Sequence, residues 1–115
     1  MAAVAAVLDS RAALSGLRRS LPAGAGPVVA FRSARGLERG LAERLFDAVV
    51  LGTRAAREVE PSGLRARFPT IPILIYGAVR SDDGAQLLAW QKVPIAGIAV
   101  EGVEDAVVGD LIARA

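Results

Sequence analysis

Few residues in this sequence could do chemistry, and most of them stand directly after short apolar runs. Asp9 and Ser10 follow AVAAVL, Gly52 and Thr53 follow AVVL, Gly77 follows ILIY, and Glu101 follows IAGIAV. Asp9 and Glu101 are weak candidates for a shared cation, because hard cations want several oxygen ligands and two carboxylates on separate elements supply few. The competing reading is a solvated acidic edge. Asp82 and Asp83 fit a helix cap better than an acid/base pair. What is missing narrows the field further. With no Cys there is no thiol nucleophile, disulfide or thiolate-bound metal, and with no His the commonest general base and zinc ligand are gone. A dinucleotide site needs glycines in the first turn, where Arg11 and Ala12 stand; the GAG at 24–26 precedes a strand, and no P-loop occurs. No cofactor is expected.

Positioning these residues falls to five strand-length runs rich in Val and Ile: Val4 to Leu8, Val28 to Phe31, Ala48 to Leu51, Ile71 to Tyr76 and Ile95 to Val100. They lack strict alternation, which predicts burial on both faces, as in a parallel sheet. The segments between them have helical spacing. Leu14, Leu17 and Leu21 follow Asp9-Ser10, either of which can cap a helix start. Leu37, Leu41 and Leu45 recur every fourth residue. Pro61-Ser62-Gly63 opens a short helix with Leu64 and Phe68, stopped by Pro69. Ser81-Asp82-Asp83 caps a fourth, with Leu87, Leu88 and Trp90 for packing, and Val103, Val107 and Leu111 stripe a fifth. The pattern is (βα)5. Right-handed crossovers fold it into an α/β, three-layer, doubly wound, flavodoxin-like sheet of five parallel strands, for which the commonest order is 2-1-3-4-5. The carboxyl ends of the first, third, fourth and fifth strands then surround one crevice holding Asp9, Ser10, Gly52, Thr53, Tyr76, Gly77, Glu101 and Gly102.

At 115 residues, 53% hydrophobic and 23% charged, residues 1–115 make one globular domain. The apolar opening has no basic segment ahead of it and soon meets Asp9, so it fits a first strand rather than a signal peptide. No run approaches the roughly 18 apolar residues of a membrane span. A cytoplasmic protein with no membrane partner is expected. Residues 1–57 carry nine Arg against four acids, and residues 58–115 carry five bases against eight acids. A modest basic face could meet an anionic partner, but Arg-rich solvated helix faces are commoner, and the basic half is read as such.

VLDSRAALSGLRRSL is similar to the first strand and helix of the receiver domain of bacterial two-component response regulators. LFDAVVLGTR, IPILIYGA and GIAVEG are similar to its third, fourth and fifth strands, so the likeness covers essentially the whole chain. The resemblance implies a phosphorylation site at the end of the third strand, and there the sequence departs from the family. Asp9 matches the first of the family's acidic pair, and Ser10 replaces the second. Gly52 stands where the family has its phosphorylated Asp, Gly77 where it has Ser or Thr, and Glu101 where it has Lys. Gly102 replaces the following Pro, and Ile98 the aromatic switch. Gly52 has no atom to phosphorylate, and Thr53 is expected to point away on a strand's alternation. Glu101 repels a phosphoryl group where Lys attracts it.

The expectation is therefore a degenerate receiver, a phosphorylation-independent regulatory domain without enzymatic activity. The resemblance places such a domain ahead of an output module, most often a helix-turn-helix, so DNA is expected to be bound only through a separate output domain. It also implies a homodimer through the fourth helix, the fifth strand and the fifth helix. Trp90, Gln91, Val93, Val108 and Ile112 are the candidate contacts, since Val107-Val108 and Leu111-Ile112 give the last helix more apolar surface than one buried stripe needs. Two alternatives stand beside it: a small-molecule sensor with its ligand in the space vacated at Gly52 and Gly77, and an active receiver using another acceptor.

Overall fold

Small and β-branched apolar residues build five strands: β1 (Ala3–Val7), β2 (Val28–Ala30), β3 (Phe46–Leu51), β4 (Ile73–Gly77) and β5 (Gly97–Val100). The computed structural model describes residues 3–21, 27–78, 83–100 and 108. All four strand pairings are parallel, and the order is β2-β1-β3-β4-β5, as the runs and their connections predicted. Period-2 geometry divides the side chains between two cores. Ala5, Val7, Val49, Leu51, Ile73 and Ile75 serve one, and Val4, Ala6, Val50, Leu74 and Tyr76 the other. Each fully buried Val, Leu or Ile contributes about 1.5–3 kcal/mol of transfer free energy, which is why the runs are continuous rather than alternating.

Helices cover both faces. α1 (Arg11–Ser20) closes the second core through Ala13 and Leu17, and Val108 joins it there. On the other face α2 (Ala34–Glu43), α3 (Thr53–Glu58), α4 (Pro61–Arg67) and α5 (Gly84–Gln91) supply Leu37, Leu41, Ala55, Leu64 and Trp90. Between β3 and β4 there are thus two helices where the sequence suggested one. The buried side of α3 is Ala55 and Ala56, with Val59 just past its end, a stripe too short and small to announce a helix. α4 begins at the expected Pro61, with Glu60 as its N-cap: the carboxylate accepts from Ser62 N at 3.2 Å and from Gly63 N.

Leu45 departs from its expected place on the α2 stripe. The backbone leaves helical geometry at Arg44 (φ −152°) to enter β3 at Phe46, and Leu45 is left 88% exposed. Leu87 packs against the core as expected, but Leu88 is 60% exposed. Glu101, Gly102, Ile112, the Val103/Val107/Leu111 stripe, Ser81, Asp82 and residues 22–26 lie outside the described residues. Among the described residues no helix is long and apolar enough to cross a membrane.

Candidate functional site

Sheet register brings the expected site residues together. Val7 pairs with Leu51, and Leu51 with Ile75, so Asp9, Gly52 and Gly77 converge at the carboxyl edge. Gly52 N donates to Val7 O at 2.7 Å, drawing the end of β3 against the β1–α1 turn. Into this approach turns the carboxylate of Asp9. Its Oδ2 accepts from Thr53 N at 3.2 Å and from Thr53 Oγ1 at 2.8 Å, and its Oδ1 accepts from Arg54 N at 3.1 Å.

This carboxylate caps α3 from a distance. The residue at the N-cap of α3 is Gly52, which has no side chain to satisfy the first amides. Asp9 supplies the acceptor instead, and its negative charge suits a helix N-terminus. Ser10 does the same locally, its Oγ accepting from Ala13 N at 3.1 Å. The two residues at the end of the first strand therefore cap two different helices.

The space above the glycines is occupied. A Cβ on Gly52 would lie 2.6 Å from Asp9 Oδ1 and 2.9 Å from the Asp9 backbone N, and one on Gly77 would lie 3.0 Å from Asp9 Oδ2 and 3.1 Å from Thr53 N. Close approach requires glycine at 52 and leaves tight room for a side chain at 77, with the Asp9 carboxylate lying directly against both glycines. Thr53 also corrects an expectation. β3 ends at Leu51 and Thr53 is the first residue of α3, so strand alternation no longer governs it. Its side chain is only 7% exposed and turns inward, the hydroxyl lying 2.8 Å from Asp9 Oδ2 and 3.1 Å from Ala78 O.

Outside Asp9 a crevice of about 250 Å³ remains, lined by Asp9, Ser10, Thr53, Arg54, Arg57, Ala78 and Asp83. Asp83 makes no side-chain cap bond on α5; its buried carboxylate pairs with Arg57 on α3. Two further bonds tie these helices, Gln86 Nε2 donating to Thr53 O at 2.8 Å and Trp90 Nε1 to Ala56 O at 3.0 Å. Sequence reasoning missed this bridge because its partners are distant in the chain, and no local pattern marks them.

The expected dimer contacts separate into two groups. Trp90 is 1% exposed and Val108 fully buried, so both belong to the core and neither forms surface. The reason for Trp90 is its indole N–H, which finds a buried acceptor at Ala56. Gln91 is exposed and Val93 half-buried, so these two stay at the surface, while Ile112 lies outside the described residues. Glu101, the other candidate cation ligand, also lies outside them, and both oxygens of Asp9 are already accepting from α3. Among the described residues no three His, Cys, Asp or Glu side chains gather where a metal ion could sit.

Asp9→Ala removes the acceptor of two amides and a hydroxyl. It is expected to lower stability by about 1–2 kcal/mol, the usual cost of a lost N-cap, read as a lower urea midpoint. An unchanged midpoint would mean that water replaces the carboxylate at no cost.

Neither a protein-family model nor a curated protein matches the sequence. Solved structures do. The fold is similar to the chemotaxis response regulator CheY4 of Vibrio cholerae, with TM-score 0.73 and 18% identity over 99% of this chain and 98% of that one. It is similar to the RcsB response regulator of Salmonella typhimurium, with TM-score 0.79 and 17% identity over 98% of this chain and 60% of RcsB. Full-length FixJ of B. japonicum matches with TM-score 0.73 and 20% identity over 98% of this chain and 58% of FixJ. The chain therefore spans somewhat over half of these two longer regulators. In strand order, layering and three-dimensional likeness, the chain has the fold of response-regulator receiver domains.

Proposed function

We propose that this chain is a degenerate receiver: a phosphorylation-independent regulatory and dimerisation domain of a cytoplasmic signal-transduction regulator, without enzymatic activity. The observation carrying this reading is the Asp9 carboxylate seated on the start of α3 above Gly52. Where a receiver would carry an acceptor carboxylate there is no side chain, and the acid that remains is bound to the protein's own backbone. The Asp9 carboxylate is thereby engaged by the first amides of α3 at the end of β3.

The match to RcsB, a response regulator described for its interaction with DNA, supports a DNA-binding output domain in a longer protein. Dimerisation is assigned to the face of α5 and β5. Leu88, 60% exposed on α5 beside exposed Ala85, Ala89 and Gln91, supports that face, with Val93 at its border.

Sedimentation of the 115-residue chain before and after incubation with acetyl phosphate and Mg²⁺, with intact mass measured on the same samples, tests both parts. A dimer of unchanged sedimentation and unchanged mass is expected. Leu88→Asp is expected to weaken association roughly tenfold or more, as a charge placed in an apolar contact does. A phosphoryl adduct would overturn phosphorylation independence, and a monomer at high micromolar concentration would overturn the dimer.

A further inference from the structure

We infer that the edge formed by α1, β2 and α2 docks on the phosphate backbone of nucleic acid. Arg11, Arg18, Arg19, Arg32, Arg35 and Arg39 are all exposed there, and none of them forms an ion pair among the described residues. Residues 10–45 hold seven arginines against two acids, Glu38 and Glu43, and Glu38 is engaged by Arg67 at 3.3 Å. β2 is the edge strand and only three residues long, with α1 packed on one face of the sheet and α2 on the other. Arginines from both faces thus frame a single edge.

Helix physics accounts for only part of this charge. Arg18 and Arg19 lie in the last turn of α1, where a cation suits the helix dipole. Arg11 instead opens α1, Arg32 immediately precedes the N-cap of α2, and Arg35 lies in its first turn; neither first turn holds an acid. Cations at those positions oppose the dipole, and Arg35 and Arg39 repel each other across one turn. These placements work against the helices that carry them, which a merely solvated face does not require.

The partner's chemistry follows from what else the face presents. A protein interface wants an apolar centre, but among the described residues the large exposed apolar side chains are Leu45, at the entry to β3, and Leu88, on α5. A phosphate backbone asks only for spaced cations, and the guanidinium fork matches phosphate oxygens. Charges spread over two helices fit an extended polyanion rather than a single small ion. This docking requires neither the dimer nor the loss of phosphorylation.

The test is fluorescence anisotropy of the 115-residue chain with a labelled DNA duplex of arbitrary sequence, across about 50–200 mM salt. Binding is expected at the low end, falling steeply with salt. In the variant Arg32→Ala/Arg35→Ala/Arg39→Ala, the slope of log K against log salt should shrink by about 0.9 for each arginine removed. Arg18→Ala/Arg19→Ala carries the same expectation for two arginines should the triple variant unfold. No binding at low salt, or a slope unchanged in folded variants, would overturn the inference. Equal affinity for polyglutamate or for phosphatidylserine vesicles would also overturn it, assigning the face to an acidic protein or a membrane.

Discussion

Replacing Gly52 with Asp is expected to destabilise the domain rather than rebuild a phosphorylation site. The new Cβ would sit 2.6 Å from Asp9 Oδ1 and 2.9 Å from the Asp9 backbone N, so the β1–α1 turn must move. Overpacking a close-packed site costs about 1–3 kcal/mol, and repulsion between carboxylates some 4 Å apart adds about 1–4 kcal/mol between aqueous and protein-like dielectrics. Together these give roughly 2–7 kcal/mol, a large share of the 5–15 kcal/mol by which a domain is stable. The urea midpoint should fall accordingly, and acetyl phosphate with Mg²⁺ should add no mass. Adding Asp9→Ala removes the repulsion but leaves the approach to the Asp9 backbone N, so the double variant should recover only part of the loss. A Gly52→Asp protein as stable as its parent would show that the turn yields freely. Phosphorylation of it would show a latent site.

Trp90→Ala is the second large effect. The indole is 1% exposed among the residues that join α5 to β3 and β4, and its Nε1 donates to Ala56 O at 3.0 Å. Truncating a buried Trp costs about 3–5 kcal/mol, enough to leave a domain of modest stability partly unfolded at room temperature. Trp90→Phe keeps most of the apolar burial and loses the bond to Ala56, for an expected cost of about 1–3 kcal/mol. Both effects should appear as lowered urea midpoints at concentrations where the chain is monomeric. Were Trp90 instead a dimer contact, truncation would weaken association and leave the monomer's midpoint where it was.

Much of the fold was legible because it depends on local side-chain pattern. A strand buried on both faces must be continuously apolar, so Val4–Leu8, Ala48–Leu51 and Ile71–Tyr76 could be picked out and joined in the observed order. Helix α3 was not legible: its buried residues are a threonine and two alanines, and its cap comes from Asp9, 44 residues earlier. The direction of Thr53 was misjudged for a related reason. Alternation is a property of strands, and where a strand stops depends on what the chain meets next, here a carboxylate waiting to start a helix.

From the sequence alone it followed that five parallel strands would form and that a glycine, with no side chain, would stand just past the third. Both are matters of side-chain period and atom content: the sheet has five parallel strands, and Gly52 directly follows β3. Only the tertiary structure decided that the site above Gly52 is filled by Asp9, that Asp83 pairs with Arg57 rather than capping its own helix, and that Trp90 lies inside. These outcomes join residues 26 to 45 positions apart, and no local spacing specifies them. They are set by which strand ends the sheet places side by side, and by which buried donors and acceptors must then find one another.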